Sequence, residues 1–195
     1  MVIGSVFEMG IRGAKIVLIS GLIMAQGVIV SSVYGQDVKS AGISELFSSA
    51  NMALQQGNYQ AAIPILEEVV ERTSGIDQEQ GRQTCQTCRF QLTRAFFQIG
   101  APADALPVIE AYLENEPRDQ EALMLRMQAQ AYFDVQEWKK VETSAQQLLD
   151  IPKLSEEDEY NGNLLLGQAL FRQEKWLESI ESLAYAGQES PDERT

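Results

Sequence analysis

The chain has 195 residues, 45% of them apolar, with 15 Lys and Arg against 28 Asp and Glu and a net charge of −13. A field of that sign repels phosphate backbones and anionic lipid, which argues against general nucleic-acid or membrane-surface binding. Histidine is absent from the sequence, and with it go His-based zinc sites, Ser-His-Asp triads and imidazole general bases.

The N-terminal stretch differs from the rest. Arg12 and Lys15 precede an uncharged apolar run over 16–30, IVLISGLIMAQGVIV, and Ser31, Ser32, Val33, Tyr34 and Gly35 follow. A basic segment, an apolar segment of that length and a short-residue end read as a secretory signal peptide, residues 1–35, cleaved after Gly35 with Val33 at −3. Glu8 and the long basic region fit a more ordinary leader if the start is Met9. The competing reading is an uncleaved anchor, since the 19 residues from 16 to 34 carry no charge and reach the lower limit for a spanning helix. Its glycines, serines and Gln26 make a poor permanent span. No cysteine ends the leader, so lipid modification there is excluded. Loss of Glu8, Arg12 and Lys15 with the leader leaves a net charge of −14. The expected location is therefore outside the cytoplasm, periplasmic or envelope-associated, with membrane contact only through an uncleaved leader.

After a linker over 36–42, the chain from Ser44 onward reads as helix. Apolar residues recur at three- and four-residue spacing and Gln, Glu, Leu and Ala dominate, the signature of short amphipathic helices. Four passages align: LQQGNYQAAIPILEEVV (54–70), FQIGAPADALPVIEAYL (97–113), FDVQEWKKVETSAQQLL (133–149) and FRQEKWLESIESLAYAG (171–187). Each begins with an apolar residue, turns through a short polar stretch to Tyr59, Pro102, Trp138 or Trp176, and continues as an amphipathic helix. A preceding helix carries a small residue midway: Ala50, Thr93, Ala129 and Gly167.

This pattern resembles the tetratricopeptide repeat, a pair of antiparallel helices of about 34 residues with large and small residues at fixed offsets. Leu166-Gly167, Leu170 and Pro191 match the family in the fourth copy; Leu92, Phe96, Ala105, Ile109, Tyr112 and Pro117 match in the second; Ala50, Gly57, Tyr59, Ala62 and Leu66 match in the first. The third departs most, with Val141 at the usual alanine. The resemblance implies an all-α, right-handed α-solenoid of about four helix pairs over 43–195, with repeats near 43–76, 86–119, 122–155 and 160–193. The excess over the family's unit falls in linkers at 74–83 and 151–163, the latter holding the acidic run Glu156 to Glu159. Small residues let the helices of one pair approach, while Leu66, Ile109 and Leu183 are expected to fill the space between pairs. Pro64 and Pro107 share one repeat offset and place the helix starts near Ala61 and Asp104, with Asp104 a candidate N-cap.

The resemblance also implies that first helices line a concave, peptide-binding surface. Its groove offsets fall on Phe47, Asn51, Leu54 and Gln55; Phe90, Arg94, Phe97 and Gln98; Arg126, Gln130 and Phe133; and Leu164, Gln168, Phe171 and Arg172. Three arginines beside three phenylalanines suit a protein or peptide segment bearing a carboxylate and a few apolar residues. The plain alternative is that each Arg pairs with a neighbouring acid and the aromatics are partly core. Some family members clamp a C-terminal carboxylate with Lys and Asn; Asn51 occupies such an offset, but the lysines are missing.

Cys85 and Cys88 form a CxxC pair, a candidate local disulfide or redox couple in an oxidising compartment. The alternative is one buried small residue, Cys88, packed on the first repeat, and one incidental thiol. No thioredoxin-like strand pattern surrounds them. No metal site, cofactor or catalytic residue is expected: phosphate-loop and nucleophile-elbow motifs are missing, and the acidic run lacks calcium-loop spacing and is read as solvated linker. The expected function is a non-enzymatic interaction or scaffold module. The alternative is the N-terminal part of a longer envelope protein whose activity, enzymatic or redox, lies beyond Thr195 or at the CxxC pair.

Overall fold

The computed structural model describes residues 38–188; the leader assigned to 1–35 and the closing Pro191 lie outside them. Among the described residues there are eight helices and no strand: α1 (Ile43–Gln55), α2 (Tyr59–Thr73), α3 (Glu79–Gln98), α4 (Pro102–Leu113), α5 (Glu121–Asp134), α6 (Trp138–Leu149), α7 (Glu156–Arg172) and α8 (Trp176–Gln188). From α2 onward each helix packs on the next, and α5 also meets α7. That consecutive packing is an α-solenoid.

The turn inside each pair has one geometry, repeated four times. Gly57, Gly100, Gln136 and Glu174 take left-handed backbone angles, with φ of 70°, 73°, 62° and 62°. The next residue's N–H then reaches back to the carbonyl five positions earlier: Asn58 to Ala53, Ala101 to Phe96, Glu137 to Tyr132 and Lys175 to Leu170, at 2.9–3.0 Å. This is the six-to-one closure that satisfies orphan carbonyls at a helix end. Two copies supply glycine for it, and two place a longer residue in a conformation that costs roughly 1 kcal/mol.

Second helices start two residues earlier than expected, at Tyr59 and Pro102. Asn58 caps α2, its Oδ1 accepting from Ala61 N at 3.3 Å. Ala101, not Asp104, holds the N-cap of α4, and Pro102 fills its first position, where a missing N–H had no partner. Pro64 and Pro107 consequently lie inside their helices. Both are exposed, as are Gln60 and Ala103 four residues before them, so water can take the freed carbonyls. Two stretches read as linker are partly helical. Glu79 to Gln83 open α3, with Ile76 packed so tightly on Gly81 that a Cβ there would sit 2.2 Å from Ile76 Cγ2. Glu156 to Glu159 form the first turn of α7. Acids are stable there because the helix N-terminus carries partial positive charge, and Ser155 Oγ accepts from Asp158 N at 3.1 Å as cap.

Within pairs, the midway residues Ala50, Thr93 and Ala129 are fully buried. Gly167 is the tightest case: a Cβ would meet Leu183 Cγ at 2.6 Å and Leu183 N at 3.2 Å. Leu183 therefore packs against the other helix of its own pair, a correction to its assignment between pairs. Between pairs, Gly162 of α7 lies against Leu149 of α6, 2.9 Å from a would-be Cβ to Leu149 Cδ2. Polar clamps reinforce these seams. Gln86 Nε2 donates to the carbonyls of Tyr112, Asn115 and Pro117, tying α3 to the end of α4. Tyr132 donates to Glu110 at 2.5 Å, and burial with that bond pushes its hydroxyl up to about 12. Glu142 receives Lys175 and Gln173, both at 2.8 Å. Burial raises its carboxyl, but those bonds and the Lys175 charge outweigh it and hold the group below its ordinary value.

Gly167→Leu is expected to destabilise the fold by about 1–3 kcal/mol through overpacking, read as a lower midpoint in urea; an unchanged midpoint rejects this register. Gln136→Gly removes the side chain from a left-handed position and should stabilise by about 0.5–1 kcal/mol, measured in the same way.

Candidate functional site

First helices lie side by side, and this sets which predicted groove residues meet. Asn51 of α1 accepts from Gln91 of α3 through Oδ1 at 2.9 Å. Across α5 and α7, Arg126 Nη1 pairs with Glu157 at 2.8 Å and Asp158 at 3.2 Å. The three predicted arginines thus have three different fates. Arg126 is neutralised by the acidic first turn of α7. Arg172 lies at the end of α7 with its guanidinium 5.5 Å from the Trp138 ring centre, so it serves the seam between the third and fourth pairs. Arg94 is exposed, rests over Phe90 at 5.6 Å, and has no carboxylate at ion-pair distance among the described residues.

The aromatics divide similarly. Phe133 and Phe171 meet Trp138 and Trp176 edge-on, at 5.2 and 5.0 Å between centroids. Phe133 is partly buried against the core cluster of Ala129, Val141 and Leu166, whereas Phe171 stays 52% exposed. Phe90 and Phe97 are half-buried on α3, and Gln168 is half-buried on α7. Gln130 bonds its own helix, donating to Asp134 at 3.0 Å. The expected continuous groove is therefore brought together only in part, over the first two pairs.

There a cleft of about 290 Å³ is lined by Asn51, Leu54, Gln55, Tyr59, Gln91 and Arg94. Gln91 is the residue that the sequence reading passed over. Its Oε1 is buried without a hydrogen-bond partner, an unmet acceptor that costs about 1–3 kcal/mol when left dry. Its spacing of three residues from Arg94 was the available signal, since such residues share a helix face. The cleft therefore offers an unpaired cation, an acceptor seeking a donor, the Asn51 amide and apolar walls. Larger clefts lack that combination. In one of about 400 Å³ near Leu113 and Ile151, Arg118 is already paired with Glu116 and Glu121.

Cys85 and Cys88 are both free thiols and both buried, so neither is incidental to packing. Cys85 Sγ lies 4.0 Å from the Val70 carbonyl. Burial, with Cys85 beside it, pushes the Cys88 thiol up to about 12. At neutral pH it is a protonated apolar filler, whereas exchange chemistry runs through the thiolate. Among the described residues no group of three or more metal-ligating side chains comes together, and no helix is long and apolar enough to cross a membrane.

Comparison with curated proteins gives no match. A tetratricopeptide-repeat family model matches residues 53–131, which take in α2, α3 and α4 whole and most of α5. Among solved structures, MamA from Desulfovibrio magneticus RS-1, residue 41 to its end, superposes with a TM-score of 0.59 at 18% identity, covering 80% of each chain. A MamA RS-1 double mutant gives 0.60 at 18% identity over 78% of each chain. A further MamA crystal structure gives 0.60 at 15%, covering 76% of this chain and 73% of that one. At such identities the likeness is one of fold. Residues 53–131 thus carry tetratricopeptide repeats, and the four repeated turns and stacked helix pairs continue the same architecture from α1 to α8.

Proposed function

We propose that the chain is a non-enzymatic interaction module that holds a partner's extended segment in the cleft between α1 and α3. The observation that carries this reading is the pairing of an uncommitted Arg94 with the orphan Gln91 Oε1. A peptide supplies both missing groups, a carboxylate for the guanidinium fork and a backbone N–H for the amide oxygen. Tyr59 and Leu54 would take an apolar neighbour. The tetratricopeptide-repeat match over 53–131 supports protein binding as the general role, and the net charge of −13 disfavours nucleic acid. The leader-like pattern of residues 1–35 supports work outside the cytoplasm, in the envelope, as a scaffold or assembly component.

Arrays of short peptides probed with the protein should enrich those joining an acidic residue to an apolar one. Arg94→Ala is expected to weaken them about two- to fivefold, equal to about 0.4–1 kcal/mol, without shifting the melting temperature because Arg94 is exposed. Equal binding by parent and variant rejects the cleft. For the location, intact mass from the native host should be short by residues 1–35; a full-length mass in a membrane fraction makes the leader an anchor instead.

A further inference from the structure

The second helices present one face to the following pair, and its first and fifth positions recur. They are Tyr59 and Ile63 in α2, Pro102 and Leu106 in α4, and Trp138 and Glu142 in α6, all at least partly buried. In α8 the same two positions are Trp176 and Ile180, here 51% and 62% exposed, and Leu177 beside them is 79% exposed. The sequence of α8 therefore continues the docking face of the earlier pairs in its most apolar form.

The seam of α6 with α7 shows what such a face receives. A helix lies close enough for Gly162 to touch Leu149, and its last turn sets Arg172 over the Trp138 ring. Lys175, just after it, closes on Glu142 at 2.8 Å. Cation against aromatic and cation against carboxylate both recur in that one contact. Over Trp176 no cation lies among the described residues; Phe171 meets it edge-on. Around it Glu174, Glu178 and Glu181 are exposed, and the neighbouring Lys175 is held by Glu142.

We infer that this face of α8 docks a basic amphipathic helix of a partner protein, laid on α8 as α7 is laid on α6. An arginine in its last turn covers Trp176, and small or apolar residues meet Leu177 and Ile180. Continuity with the α6–α7 seam fixes the geometry, and the acidic rim fixes the charge of the occupant. A second copy of the chain fits poorly, since it would bring Glu178 and Glu181 against another acidic rim. This surface is separate from the Arg94 cleft and stands or falls independently of it.

The probe is a synthetic amphipathic helix of about four turns, with leucine and alanine on one face, lysine on the other and arginine in the last turn. The full chain carries two tryptophans, so Trp138→Phe leaves Trp176 as the reporter. Peptide addition should shift Trp176 emission saturably. Ile180→Glu should weaken binding at least about tenfold, one RT ln 10 unit, although it adds negative charge that would strengthen any non-specific attraction. Arginine→glutamate in the peptide should weaken it comparably, and Arg94→Ala should leave it unchanged. If Ile180→Glu perturbs the melt, the more exposed Leu177→Glu replaces it. Binding that Ile180→Glu leaves intact, equal binding of the glutamate peptide, or loss on Arg94→Ala overturns the inference. So does a dimer in sedimentation that Ile180→Glu dissociates, which would make the occupant a second copy.

Discussion

The close approach of the two helices in each pair governs everything else in this chain. It is set where Ala50, Thr93, Ala129 and Gly167 are buried to completion or nearly so, with Gly167 leaving no room for even a methyl group against Leu183. Interiors pack at crystal-like density, so one small position fixes the register of a whole helix pair. Once it is fixed, the left-handed turns at Gly57, Gly100, Gln136 and Glu174 follow at constant distance, and the first positions of the second helices all land on one edge. That edge carries the aromatic contacts of Trp138 and Trp176, and the neighbouring seams carry Gln86, Glu142 and Arg172. Thr93 shows how strict the position is, since its Oγ1 is buried without a partner and is tolerated there because the site needs something small.

Periodic features were legible in the sequence because the physics behind them is local. Small residues midway along first helices, Tyr59, Trp138 and Trp176 after short turns, and glycine at 57 and 100 could all be aligned by eye. The third and fourth turns hid the same backbone behind Gln136 and Glu174. Helix ends without apolar residues gave no period to read, so Glu79 to Gln83 passed for linker. The acidic run after Ser155 passed for linker too, although Ser155 with Asp158 three residues on is a capping signal. Charge pairing was the least legible feature. Arg126 finds Glu157 from 31 residues away, and nothing in the spacing of either announces the other. For the same reason Arg94, with an identical side chain on the same expected face, could not be told from Arg126 until both surroundings were seen.

An exposed arginine alone is a weak anchor. Ion pairs in high dielectric are worth about 0–1 kcal/mol, so Arg94 can select a carboxylate without holding it. Holding has to come from groups that are dry before binding and satisfied after it. Gln91 Oε1 is such a group: its desolvation cost is already present in the free protein and is relieved by a donor. Tyr59 and Leu54 add apolar area beside it. The cleft therefore divides the work, with charge choosing the partner's acidic residue and burial supplying affinity.

The same division applies in reverse at α8. There the affinity term is exposed first, as Trp176, Leu177 and Ile180, and the selecting charge is the acidic rim. In the α6–α7 seam both terms are already satisfied within the chain, by Arg172 over Trp138 and by Lys175 on Glu142. A repeat protein stabilises each unit with its neighbour, so the chemistry of the α6–α7 seam is a template for what the face of α8 accepts. In a chain carrying 28 acids against 15 bases, Arg126, Arg172 and Lys175 stand at seams and Arg94 in a cleft. Among the described residues no cation lies over Trp176 of α8, and a partner helix that brings one completes a contact the fold has already made once.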